Sequence, residues 1–131
     1  STFNQYVVAY QYYGGIRTWK NNLGNFPSAS PIKTATSKPG WMLAADLVAQ
    51  QGGTTSGNWA PFKEMPAHKN SGSTRPAGGN ELFIDGSARW VKASKNMMFL
   101  HSWNMSTAAL YIYQEDLGDL ETKRSQLSIV P

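Results

Sequence analysis

The apolar residues of this chain fall in short runs, each bounded by Gly, Pro, Asn or Asp, and runs of that kind are strand-sized. The clearest pair is Leu82-Phe83-Ile84 and Ala88-Arg89-Trp90-Val91, joined across Asp85-Gly86. Asp-Gly tolerates positive φ at both central positions of a type I′ turn, whose twist matches that of the flanking strands. The pattern therefore predicts a β-hairpin with a two-residue loop. That register pairs Ile84 with Ser87, Phe83 with Ala88, Leu82 with Arg89 and Glu81 with Trp90. Phe83, Ala88 and Trp90 then share one face, the expected core face because cross-strand aromatic clusters stabilise a hairpin. Leu82, Ile84 and Val91 take the other, beside Ser87 and Arg89.

The remaining runs are weaker. Tyr6-Val7-Val8-Ala9-Tyr10-Gln11-Tyr12-Tyr13, Gly14-Gly15 and Ile16-Arg17-Thr18-Trp19 read as strand, turn and short strand. Residues 20–40, with Asn21-Asn22, Gly24, Pro27, Pro31, Pro39 and Gly40, carry loop chemistry and little room for a helix. Residues 41–49 are apolar except for Asp46 and are bounded by Pro-Gly and Gly-Gly, as suits a central strand. An Asp inside such a strand must lie at its exit, meet a cation or accept hydrogen bonds, because an isolated buried carboxylate is too costly.

Residues 50–79 hold six of the twelve glycines and three of the seven prolines. That composition predicts a long loop, anchored by Trp59, Pro61, Phe62, Met65 and Pro66, with a mobile tail from Lys69 to Ala77. Ser94 is placed to cap a short helix running through Asn96 to Trp103, and Ala108 to Tyr113 form another strand. Leu127 to Val130 end the chain as an edge strand or a frayed end. The expected fold class is α+β and β-rich: a small antiparallel sheet around a central β-hairpin, with long loops, and residues 1–131 as a single domain.

Composition narrows the function classes. A chain of 131 residues buries about two-thirds of its unfolded surface and needs no staple. The absence of cysteine excludes thiol catalysis, thiolate-bound zinc and disulfides. No window approaches the ~18 consecutive apolar residues of a membrane span. Net charge is +4, but the basic residues are spread singly from Arg17 to Lys95, so a solvated surface is expected and no nucleic-acid partner.

The run Gly78-Gly79-Asn80, Phe83, Asp85-Gly86-Ser87 and Arg89-Trp90-Val91, preceded by Pro66-Ala67-His68, resembles the C-terminal signature of the bacterial pseudopilin-like proteins of the prepilin-type H-X9-DG family. Ser37 to Asp46 is similar to that family's buried strand ending in Asp. Together these cover roughly residues 37 to 91. One departure is that His68 and Asp85 are separated by 16 residues rather than nine. The family's basic leader and long apolar N-terminal helix are not in this chain. The resemblance implies a pseudopilin-like head domain: a structural subunit of a type II secretion or type IV pilus-like system, with other pilin-like subunits or secretion-system proteins as partners. It implies anchorage to the inner membrane through the missing helix, and a head on the periplasmic or extracellular face of the cell envelope. His68, Asn80, Phe83, Asp85, Gly86, Trp90 and Asp46 are then motif positions with structural roles.

Three chemistries compete with a purely structural role. On the resemblance, His68 and Asp85 approach each other near the Asp46 end of the central strand, and a carboxylate that orients an imidazole would make a hydrolase base. Against it, no serine sits in a Gly-x-Ser-x-Gly elbow. A hydrogen bond pinning the loop, with Asp85 capping its own turn, is the weightier reading. Glu115, Asp116, Asp119 and Glu121 offer oxygen ligands for calcium, which some pseudopilins bind through acidic loops. They lack EF-hand spacing and read better as a solvated turn, and no other cofactor is expected. Finally, 5 Trp and 6 Tyr raise a carbohydrate-binding module, with Trp59, Trp19 and Tyr12 as the stacking candidates.

Overall fold

The computed structural model describes residues 10–51, 68–73, 75–103 and 108–130. Strands β1 (Tyr10–Tyr12), β4 (Met42–Asp46), β6 (Gly78–Phe83) and β7 (Ala88–Lys92) form one antiparallel sheet in the order β1-β4-β6-β7. As its apolar composition requires, β4 is a central strand, with Met42 and Ala45 buried. The apolar run does not continue in that sheet. After Asp46 the chain turns through Leu47-Val48 into β5 (Ala49–Gln51), which joins β9 (Ala108–Ile112) and β8 (Met98–Trp103) in a second sheet ordered β5-β9-β8. The molecule is thus a β-rich α+β fold built from small antiparallel sheets.

The Gly14-Gly15 turn does not join paired strands, because β1 pairs with β4 while β2 (Thr18–Asn21) pairs with β3 (Gly24–Pro27). This β2–β3 hairpin begins in the expected short strand at Thr18-Trp19 and runs on into the stretch expected to be loop. Its turn is set by Asn21, whose Oδ1 accepts the Leu23 N–H at 2.9 Å.

The expected helix from Ser94 to Trp103 is corrected to a single turn, α1 (Ala93–Asn96), with Lys92 rather than Ser94 at its N-cap. The chain then enters β8, whose side chains alternate between two cores: Met98 and Leu100 enter one, Phe99 the other. A helix would present one apolar stripe, whereas this segment needs two opposite apolar faces, and only a period of two supplies them. The chain closes with a 3-10 segment, Gly118–Gln126, that buries Leu120. The C-terminal residues then add an edge to β8, with Phe99 N–H to Ser128 C=O at 2.7 Å and Val130 N–H to Met97 C=O at 3.2 Å.

The β6–β7 hairpin forms, but one residue out of the expected register. Leu82 pairs with Ala88, Glu81 with Arg89, Asn80 with Trp90 and Gly79 with Val91. The loop has three residues, Ile84-Asp85-Gly86. Phe83 C=O accepts the Gly86 N–H at 3.0 Å and Phe83 N–H donates to Ser87 C=O at 2.9 Å. Gly86 alone need adopt positive φ, 84°, as in a turn closed by a glycine bulge. Asp85 makes the longer loop preferable: its Oδ1 accepts both the Ser87 N–H (2.9 Å) and the Ser87 hydroxyl (2.6 Å). Because the side-chain period is two, the slip separates the expected core face. Phe83 is buried with Glu81, Gly79 and Val91, while Trp90, Ala88, Leu82 and Asn80 look outward.

The inner face of the first sheet (Met42, Ala45, Phe83) packs with Met98, Leu100 and Ile112 of the second, Trp19 of β2, and Leu117, Leu120 and Leu127. Two buried polar side chains hold these layers together. Gln114 Oε1 accepts the Met42 N–H (2.9 Å), and its Nε2 donates to the carbonyls of Ala29 and Asp116 (2.7 Å each). Glu81, fully buried, accepts the Tyr113 N–H at 2.7 Å through Oε1, while Oε2 has no partner among the described residues. Burial pushes this carboxyl up to about 7, against the opposing pull of the Tyr113 N–H and the positive Arg89.

The folded chain therefore keeps a proton on Glu81 between about pH 4.5, the ordinary value, and about 7, where the unfolded chain has lost it. Stability from this group is full below the lower value and is lost as pH rises through the upper one, by roughly 3 kcal/mol. The lowered carboxyl of Asp116 acts only on acidification below that window. Glu81→Gln should flatten the decline in urea midpoint across that range, and an unchanged slope would count against the assignment. Glycine substitutions test the hairpin in the same assay. Gly86→Ala should cost about 1 kcal/mol through backbone strain alone, since nothing lies within 4 Å of an added Cβ. Gly78→Ala, whose Cβ would strike the Val91 carbonyl and sit 2.9 Å from Trp90 Cζ2, should cost about 2–3 kcal/mol. Gly40→Ala meets open space and should melt like the parent.

Candidate functional site

Where β4 leaves the first sheet, β6 still has a backbone donor pointing at the vacated position. The carboxylate of Asp46, the last residue of β4, fills it: Oδ2 accepts the Asn80 N–H at 2.8 Å and the Asn80 Nδ2 at 2.9 Å. His68 Nε2 lies 3.1 Å from the same oxygen, and its ring stands edge-on to Trp90 with centroids 4.9 Å apart. Trp90 in turn packs over the bare backbone of Gly78. Four of the motif residues, His68, Asp46, Asn80 and Trp90, are thus one interlocked group at the outer face of the sheet.

The long spacing between His68 and the hairpin does not separate them. The described residues that follow His68 pair with those that precede β6: Lys69 bridges Pro76, Asn70 N–H donates to Arg75 C=O at 3.0 Å, and Ala77 N–H donates to His68 C=O at 2.9 Å. The two ends of the segment expected to be a mobile tail are therefore hydrogen-bonded to each other, and His68 lies beside the start of β6.

Asp85 does not join this group. It sits at the far end of the hairpin, where the Ser87 hydroxyl and N–H hold its carboxyl below the usual range. The Phe83 ring, with the Arg89 guanidinium 4.3 Å above its centroid, is also remote from it. An Asp85–His68 dyad is excluded by the hairpin's length, and the carboxylate that meets the imidazole is Asp46.

Among the sugar-stacking candidates, Trp19 is wholly buried against Tyr13 and His101, so it has no free ring face. Tyr12 is exposed, and Trp59 lies outside the described residues. Of the calcium candidates, Asp116 is occupied by Lys38 Nζ (2.5 Å), Trp41 Nε1 (3.1 Å) and the Gly118 N–H (3.0 Å). These hold its carboxyl down to about 2, the Lys38 contact most of all. Glu121 is paired with Arg124 at 2.7 Å, and that guanidinium also donates to the Gln114 and Glu115 carbonyls. Glu115 and Asp119 are exposed. Among the described residues no group of three or more His, Cys, Asp or Glu converges.

Sequence reasoning missed Glu81, although the period of two that buries Phe83 also buries the residue two before it. It also missed Tyr10 as a surface residue, whereas Leu82 lies outward, on the face opposite the expected core face. Scans against protein-family models, curated proteins and solved structures found no match.

Asp46 and Asp85 should behave differently when removed. Asp46→Ala strands the Asn80 N–H and frees His68, and should cost about 2 kcal/mol while speeding amide exchange from residue 68 to 77. Asp85→Ala should leave exchange in that excursion unchanged. Faster exchange there in the Asp85 variant would break the separation between the two ends of the hairpin.

Proposed function

We propose that this chain is the β-rich, non-catalytic head of a pilin-like subunit in a bacterial type II secretion or type IV pilus-like system. Its place is the cell envelope, and its partners are other pilin-like subunits. The observation that carries the reading is the convergence of His68, Asp46, Asn80 and Trp90 despite an excursion that lengthens the motif. A set of residues that meets in space although its spacing differs behaves as one structural unit. Its chemistry supports a lock: Asp46 Oδ2 is engaged by three polar groups, two from Asn80 and one from His68, and the imidazole and indole rings meet edge-to-face.

Two measurements test this. The codons upstream of Ser1 should encode a short basic leader and an apolar helix of about 20 residues. A secretory signal joined directly to Ser1, or an enzyme domain, overturns the assignment. Separately, His68→Gln keeps an amide donor for Asp46, so the full-length variant should complement a deletion strain like the parent. Loss of complementation at an unchanged melting temperature would favour a base at His68 and defeat the lock.

A further inference from the structure

The outer face of the first sheet carries two cross-strand rows. The first runs Tyr10, Asp46, Asn80, Trp90, and the second Tyr12, Ala44, Leu82, Ala88. Its large side chains are open to solvent: Tyr10 is 59% exposed, Tyr12 66% and Trp90 46%. We infer that this face binds a neutral oligosaccharide, with Tyr10, Tyr12 and Trp90 stacking on sugar rings and Asn80 Oδ1 and the tyrosyl hydroxyls meeting sugar hydroxyls.

Three features point to that ligand class. Charge comes first. The chain is net positive at +4, yet neither row contains a lysine or arginine, and Lys92 stands beyond Trp90 at the corner of the sheet, opposite Gly78. The Asp46 carboxylate is already engaged by Asn80 and His68. An uncharged ligand is the one these rows complement.

The second feature is that two of the rings are held in place. Trp90 is held by a perpendicular ring contact with His68, centroids 4.9 Å apart, and by Gly78 beneath it, and Tyr12 packs over Gly14 in the same manner. Rings fixed before binding lose little freedom when a sugar stacks on them, which lowers the cost of association.

The third is the mixture of groups. Asn80 commits its N–H and Nδ2 to Asp46, and its Oδ1 has no partner among the described residues. The hydroxyls of Tyr10 and Tyr12 are likewise without partners among the described residues. Fixed rings interleaved with free polar atoms suit a ligand having both apolar ring faces and many hydroxyls, whereas a purely apolar partner would leave those atoms unsatisfied.

By strand geometry, Tyr10 and Tyr12 lie about 7 Å apart, and Tyr10 and Trp90 about 14 Å apart across three strand gaps. That span suits several linked sugars rather than one. The site takes Trp90, at the β7 end of its row, in place of the buried Trp19. It stands apart from the pilin-like reading, whose upstream-codon test is unaffected by whether a sugar binds.

The test is calorimetric titration of the chain with four neutral probes, cellohexaose, chitohexaose, xylohexaose and maltohexaose, to millimolar concentration. At least one should bind, and Trp90→Ala and Tyr12→Ala should each weaken it by about ten-fold. Trp90→Ala uncovers Gly78, and should that variant fail to fold, Tyr10→Ala and Tyr12→Ala, on the edge strand, carry the test alone. The inference is overturned if none of the four probes binds. Unchanged affinity in the folded variants also overturns it, as does concentration-dependent self-association that Tyr12→Ala abolishes, which would make the face a contact between copies.

Discussion

A strand that leaves its sheet before its neighbour ends must abandon a backbone donor, and the architecture of this molecule depends on how that one group is satisfied. An amide left unpaired away from water costs about 1–3 kcal/mol. At Asn80 the Asp46 carboxylate takes the place of the departed β4 carbonyl, so the chain is free to turn at Leu47-Val48 and begin the second sheet. The same oxygen collects His68, which sets the position of the segment leading into β6. One substituted ladder position thereby connects the two sheets and the motif.

The device recurs because the strands are short, three to six residues each. Short strands have proportionally more ends, and each end leaves orphaned amides and carbonyls. Gln114 serves the Met42 N–H and the Ala29 carbonyl, Glu81 the Tyr113 N–H, and Asn22 the Ser128 N–H and the Gln126 carbonyl. These side chains act as detached pieces of backbone. That role explains why a glutamate occupies the inner face between Gly79 and Phe83, where packing alone would favour an aliphatic residue. The carboxyl group satisfies one amide and leaves its second oxygen with no partner among the described residues.

The central strand, the Asp at its exit and the existence of the hairpin are legible in the residues because each depends on local composition. The hairpin's register is not, since Asp-Gly is compatible with both a two- and a three-residue loop. Ser87, through its bonds to Asp85, decides between them. Met98 to Trp103 reads as helical because helical and strand periods cannot be separated in a short apolar run buried on both faces. Its partner β9 decides the outcome, and that contact is non-local. For the site, Asp46, His68, Asn80 and Trp90 each stand out in the sequence. Their grouping does not, because chain spacing between His68 and the hairpin says nothing about distance once the intervening residues close on themselves.

That closure separates length from geometry. Since Ala77 N–H meets His68 C=O and Asn70 N–H meets Arg75 C=O, the chain enters and leaves the excursion at adjacent points, and residues added between Asn70 and Arg75 cost loop entropy, which grows by about 0.6 kcal/mol for each doubling of length. The excursion is therefore a natural port for inserted sequence: an epitope, a fluorophore-binding peptide or a small folded module placed between Asn70 and Arg75 would project from the surface with His68 still in register. The same property lets the segment vary in length without disturbing the sheet beneath it.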